Sequence, residues 1–110
     1  MSKLDGKVAV VIGGGTGIGL GCARALAESG CQVVIAGRRE QVLKQAAEQS
    51  KTSPMRYHVV DTASRESVKT LFRWVRQELG QTDIMVNSAA INIVDRTMSR
   101  MQPEQWDQVL

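Results

Sequence analysis

The stretch VAVVIGGGTGIGLG, Val8–Gly21, places six glycines in nine residues directly behind five apolar ones. The apolar part belongs to a short, β-branched run, Lys7–Ile12, which reads as a buried strand. From Gly19 the period changes to that of a helix, with Cys22, Ala23, Leu26 and Ala27 on one face and Ser29-Gly30 as its close. Glycine loses more backbone entropy on folding than any other residue. Concentrating it where a strand hands over to a helix indicates that something approaches the backbone more closely than a Cβ allows. A helix N-terminus at that point offers unpaired N–H groups and the positive end of the helix dipole, which favour phosphate. A tight turn with close helix–strand packing needs about two glycines, and six exceed that need.

Spacing narrows the ligand. No lysine lies in the turn, so the Gly-Lys-Ser/Thr ending of a nucleotide-hydrolase loop is missing. The pattern G-x-G-x-x-G fits no register of Gly13 to Gly21, whereas G-x-x-x-G-x-G fits as Gly13, Gly17 and Gly19. Gly15-Thr16-Gly17-Ile18-Gly19 would equally serve a methyltransferase with a methionine-derived cofactor, so the glycines leave both classes open.

Working outward, Gln32–Ala36 is a second buried strand and Glu40–Ser50 a helix with Leu43, Ala46 and Ala47 inward. Met55–Val60 is a third strand. Ser64–Leu79 is the clearest helix, with Val68, Leu71, Phe72, Val75 and Leu79 on one stripe. Asp83–Asn87 is a fourth strand, and Pro103 suits the first position of a helix from about Glu104. Strands alternating with helices predict an α/β fold, a parallel sheet covered on both faces. Residues 1–110 read as one domain with no linker or repeat.

The end of the second strand bears on the nucleotide. A site for an unphosphorylated ribose places Asp or Glu there, to accept bonds from the hydroxyls. This chain has AGRRE, with Arg38 and Arg39 in that place. They are either a solvated charge pair or a phosphate contact. Two cations at a helix start oppose its dipole by about 0.3–1 kcal/mol each, and a 2′-phosphate there would reverse the sign. One charge-assisted contact is worth about 1.5–3 kcal/mol, or roughly a 10- to 150-fold preference for NADP over NAD. Arg38 is the favoured contact; Glu40 beside the pair weighs against it.

The totals exclude other classes. A formal net charge of +3, without clustering, suits a small anionic ligand and excludes a nucleic-acid surface. Cys22 and Cys31 lack metal-ligand spacing and read as reduced core thiols, and no metal site is expected. Five consecutive apolar residues before the glycines are too few for a signal-peptide core or a membrane span. The default compartment is the cytoplasm.

Taken together these stretches resemble the short-chain dehydrogenase/reductase family across essentially the whole chain. GGGTGIG (Gly13–Gly19) resembles the family's cofactor glycine motif. Asp61, after the third strand, matches its adenine-contacting aspartate. NSAA (Asn87–Ala90) is similar to the family's Asn-Asn-Ala-Gly segment, and WDQVL (Trp106–Leu110) to the start of the helix carrying its catalytic asparagine. The resemblance implies a Rossmann-like doubly wound sheet, truncated here after the fourth strand and the start of the next helix. It implies cofactor contacts at Gly13, Gly15, Thr16, Gly17, Ile18, Gly19, Asp61, Asn87 and Ala89; with Arg38 and Arg39 from the strand end, NADP(H) is the preferred cofactor and NAD(H) stays possible.

Bland roles compete: Asp61 as a cap of the helix near Ser64, and Asn87 as an anchor between strand and loop. His58 reads as structural, Trp74 as a partly exposed aromatic, and Met98 and Met101 as loop packing. Two departures stand out: Ile12 replaces a threonine and so removes a hydroxyl beside the turn, while Ser88 and Ala90 replace Asn and Gly. The resemblance further implies hydride exchange with a small carbonyl or alcohol substrate, through a tyrosine with a lysine four residues on. The only tyrosine here, Tyr57, is followed at that spacing by Asp61. No residue is therefore assigned as catalytic, and this stretch is expected to be the inactive cofactor-binding part of a homo-oligomeric parent. A naturally short, non-catalytic nucleotide-binding or regulatory module is the alternative, and a methyltransferase fragment the third reading.

Overall fold

The computed structural model describes residues 4–15, 17–50 and 54–88. Four strands, β1 (Val8–Ile12), β2 (Gln32–Gly37), β3 (Arg56–Val59) and β4 (Ile84–Asn87), alternate with three helices, α1 (Gly17–Glu28), α2 (Glu40–Gln49) and α3 (Arg65–Leu79). The strands form one parallel sheet in the order β3-β2-β1-β4. β1 therefore lies between β2 and β4, with Ile12 opposite Ala36 on one side and Asn87 on the other.

Every residue of β1 is buried, because strand side chains alternate between faces and both faces are covered. Val8, Val10 and Ile12 join Val68, Leu71, Phe72 and Val75 of α3 in one cluster. Ala9 and Val11 point the other way, toward Ala23 of α1 and Leu43 and Ala46 of α2. Three layers result. Burying each large apolar side chain contributes about 1.5–3 kcal/mol, so the α3 stripe is a principal anchor of its face.

Local chemistry sets the ends. The Ser64 hydroxyl accepts the Ser67 N–H at 3.2 Å and caps α3. The Asp83 carboxylate accepts the Val8 N–H at 2.8 Å, starting β1 beside β4. Lys7 lies in the preceding turn, its N–H donated to the Leu4 carbonyl at 3.0 Å, so β1 opens one residue later than the apolar pattern predicts. Of the two free thiols, Cys31 is buried as expected, whereas Cys22 is half-buried on α1. Trp74 is partly buried against the α3 cluster and meets the His58 ring at a tilt, ring centroids 4.9 Å apart. No helix among the described residues is long and apolar enough to cross a membrane. The expected helix from Glu104, Pro103, the segment Trp106–Leu110 and the methionines Met98 and Met101 lie outside the described residues.

Candidate nucleotide site

The carboxyl ends of β1, β2, β3 and β4 share one edge of the sheet. The chain leaves β1 through a turn in which Gly13 adopts φ +80°, in the left-handed region that side chains disfavour. The Gly13 N–H donates to the Ala36 carbonyl at 2.7 Å, tying the turn to β2. α1 then begins at Gly17, two residues before the period change predicts, because glycines carry no helical signal. Its first turn holds no acidic residue, so its N–H groups face no carboxylate of their own helix. Ile18 stands 75% exposed beside them, unusual for so large an apolar side chain.

The glycines divide by role. A Cβ on Gly14 would approach the Ile35 Cγ2 to 2.7 Å, and one on Gly15 the Val42 Cγ1 to 2.9 Å. A Cβ on Gly19 would strike the Gly13 carbonyl oxygen and the Ser88 hydroxyl. Gly17 and Gly21 would meet nothing within 4 Å. Packing therefore uses Gly14, Gly15 and Gly19, more than the sequence pattern suggests. Gly17, at the start of α1, leaves open space beside the helix N-terminus.

Beside the turn lies a cleft of about 90 Å³ lined by Gly13, Gly15, Arg38 and Arg39, closed below by Val42 and Leu43. Both arginines are exposed, and neither guanidinium has a side-chain partner among the described residues. Arg39 is the N-cap of α2 and makes no side-chain capping bond, so its own side chain satisfies none of that helix's first amides. Among the described residues no carboxylate lines the cleft. Glu40, the first residue of α2, is exposed outside it.

Asp61 follows β3, exposed, at the same edge. Its Oδ1 accepts the Ala63 N–H at 3.0 Å, and its own N–H donates to the Ser67 hydroxyl at 2.9 Å. Capping of α3 falls to Ser64, so Asp61 holds the turn before the helix. Asn87 ends β4 at 1% exposure, paired in the ladder with Ile12. The expected residues Gly13, Gly15, Gly17, Ile18, Gly19, Arg38, Arg39, Asp61 and Asn87 thus share one edge, while Thr16 and Ala89 lie outside the described residues.

Ser88, read in the sequence only as a departure, donates toward the carbonyls of Ile12 at 3.1 Å and Gly13 at 3.0 Å. A hydroxyl thus reaches the start of the turn from the residue just after β4. Tyr57 lines a different groove, with Lys44, Met55 and Trp74. No cluster of three potential metal ligands occurs among the described residues.

Residues 7–110 match the model of the short chain dehydrogenase family. An uncharacterized oxidoreductase of Staphylococcus aureus is 34% identical over all 110 residues of the chain, which correspond to 47% of that protein. The chain thus spans about half the length of the curated relatives it matches. Among solved structures, a citronellol catabolism dehydrogenase of Pseudomonas aeruginosa superposes with a TM-score of 0.74 at 34% identity, covering 79% of this chain and 38% of that one. L-Sorbose reductase of Gluconobacter frateurii, complexed with NADPH and L-sorbose, gives 0.73 at 33% identity over 94% of this chain and 40% of its own.

Proposed function

The chain belongs to the short-chain dehydrogenase family, and from that premise we propose that it is the cofactor-binding part of an NADP(H)-preferring oxidoreductase. The observation that carries the preference is the cleft at the end of β2, which Arg38 and Arg39 line beside the glycine turn with no carboxylate among the described residues that line it. In this reading the pyrophosphate lies at the α1 N-terminus, where free N–H groups and the helix dipole favour anions. Arg38 holds the 2′-phosphate with a charge-assisted bond, Arg39 adds charge beside it, and Asp61 lies toward the adenine. Ile18 and Asn87 are proposed as further cofactor contacts, as are Thr16 and Ala89, which lie outside the described residues. The cofactor supplies hydride chemistry when bound; this chain's residues bind and orient it.

The NADPH held by the sorbose reductase neighbour supports the same choice of nucleotide. The proposed substrate class is a small carbonyl or alcohol, and the proposed assembly a cytoplasmic homo-oligomer in which residues 1–110 form one nucleotide domain. No residue of this chain is given a catalytic role.

Calorimetric titration of the chain and its Arg38→Ala variant with NADPH, NADH and S-adenosylmethionine tests the reading. The chain should bind NADPH roughly 10- to 150-fold tighter than NADH, the equivalent of about 1.5–3 kcal/mol, and Arg38→Ala should bring the ratio toward unity. Equal affinities in the unaltered chain would remove the preference. Binding of S-adenosylmethionine with no response to NADPH would replace the oxidoreductase reading by a methyltransferase.

A further inference from the structure

The carbonyls at the end of β1 converge on one side chain from the far end of the described chain. The Ser88 hydroxyl lies 3.1 Å from the Ile12 carbonyl oxygen and 3.0 Å from that of Gly13, a residue 75 positions earlier in the chain. A hydroxyl carries one proton, so it is shared between the two acceptors. The backbone ladder between β1 and β4 ends at the pair Ile12–Asn87. Ser88 therefore adds one side-chain rung where the turn begins. The same Gly13 carbonyl and Ser88 hydroxyl are the groups that a side chain at Gly19 would strike. The Gly13 peptide is held between Ser88 on one side and the first turn of α1 on the other.

We propose that Ser88 is a positioning residue for the dinucleotide site, acting through the Gly13 peptide on the seat of the α1 N-terminus. This inference rests on the dinucleotide reading above. A run of glycines has many backbone states open to it, and an anion site gains affinity when its N–H groups are fixed before the ligand arrives. Gly13 receives that constraint from two directions: its N–H is bonded to Ala36 on β2, and its carbonyl to Ser88 beyond β4. Without the hydroxyl the carbonyl side is released, and the turn loses its link to the strand that leads toward the nicotinamide end.

The pyrophosphate is common to NADPH and NADH, so the signature is an equal loss for both. Ser88→Ala should raise each dissociation constant about 3- to 10-fold, the scale of one neutral hydrogen bond. The NADPH-to-NADH ratio should not change, in contrast to Arg38→Ala. Titration follows a melting curve for each variant, so that affinities refer to folded protein. Should Ser88→Ala not fold, Ser88→Cys, which keeps the volume with a weaker donor, carries the same comparison and should show a smaller equal loss.

A lower melting temperature with both affinities unchanged would reduce Ser88 to a structural contact and overturn the proposal. So would a change in the ratio, which would place its effect at the 2′-phosphate. If the unaltered chain bound neither nucleotide, the dinucleotide reading would fail and this inference with it. If it binds and Ser88→Ala binds equally well, only the role of Ser88 falls.

Discussion

Gly19 and Gly21 lie two residues apart in α1, and replacing each by alanine should have opposite consequences. At Gly21 an added Cβ meets nothing within 4 Å. Alanine there gains helix propensity and should stabilise the fold by about 0.5–1 kcal/mol. At Gly19 the same methyl group strikes the Gly13 carbonyl oxygen and lies 2.9 Å from the Gly13 carbonyl carbon. That obstacle is backbone, tied to β2 through the Ala36 carbonyl, so it cannot swing aside as a side-chain end would. Restoring ordinary contact needs a shift of about 1 Å between α1 and the Gly13 peptide, and overpacking of this kind costs about 1–3 kcal/mol. The gain in propensity offsets part of this, leaving Gly19→Ala about 0–2 kcal/mol less stable than the unaltered chain.

Affinity should separate the two variants further. Displacing the α1 amides by that distance forfeits about one charge-assisted bond to phosphate, so NADPH binding at Gly19→Ala should weaken at least about tenfold. Gly21→Ala should bind as the unaltered chain does. Thermal melts followed by fluorescence titration with NADPH measure both effects, about 1 kcal/mol corresponding to roughly 4–8 °C in a domain of this size. Equal melting temperatures and equal affinities for the two variants would refute the close approach of α1 to the turn.

Two further outcomes follow from the described geometry. Burial, followed by the negative charges of Asp83 and Asp5, raises the Cys31 thiol above its ordinary value of 9.0. The folded state disfavours the thiolate, so this contribution is fully present below the unfolded thiol's pKa and is lost as pH rises through the raised value. Denaturant midpoints should therefore fall above about pH 9, less steeply in Cys31→Ala, and a pH-independent midpoint would contradict the burial. Ser64→Ala removes the bond to the Ser67 N–H and should lower stability by about 0.5–2 kcal/mol, checked by the same denaturation.

Much of this architecture was legible in the sequence because it depends on local pattern. The β-branched run of β1 and the Val68–Val75 stripe each specify an element and its buried side without knowledge of neighbours. Edges were less legible: β3 runs only from Arg56 to Val59, with Met55 before it and Val60, whose N–H still reaches the Gly37 carbonyl, just past its end. Arg38 and Arg39 were found because they follow directly on a strand whose carboxyl end faces the turn. The division of labour among the glycines was not, since it depends on Ile35, Val42 and Ser88 arriving from elsewhere. Ser88 carried no local signal at all. Its acceptors are separated from it by most of the described chain, and only the β1–β4 pairing brings them together.

The most direct test of the central claim is a titration of the ¹⁵N-labelled chain with NADPH, followed through its backbone amide resonances. The account predicts the largest shifts at Gly13, Gly15, Gly17 and Ile18, with Arg38 and Arg39 moving for NADPH and much less for NADH. Shifts gathered instead around Lys44, Tyr57 and Trp74, with the glycine amides unmoved, would contradict it.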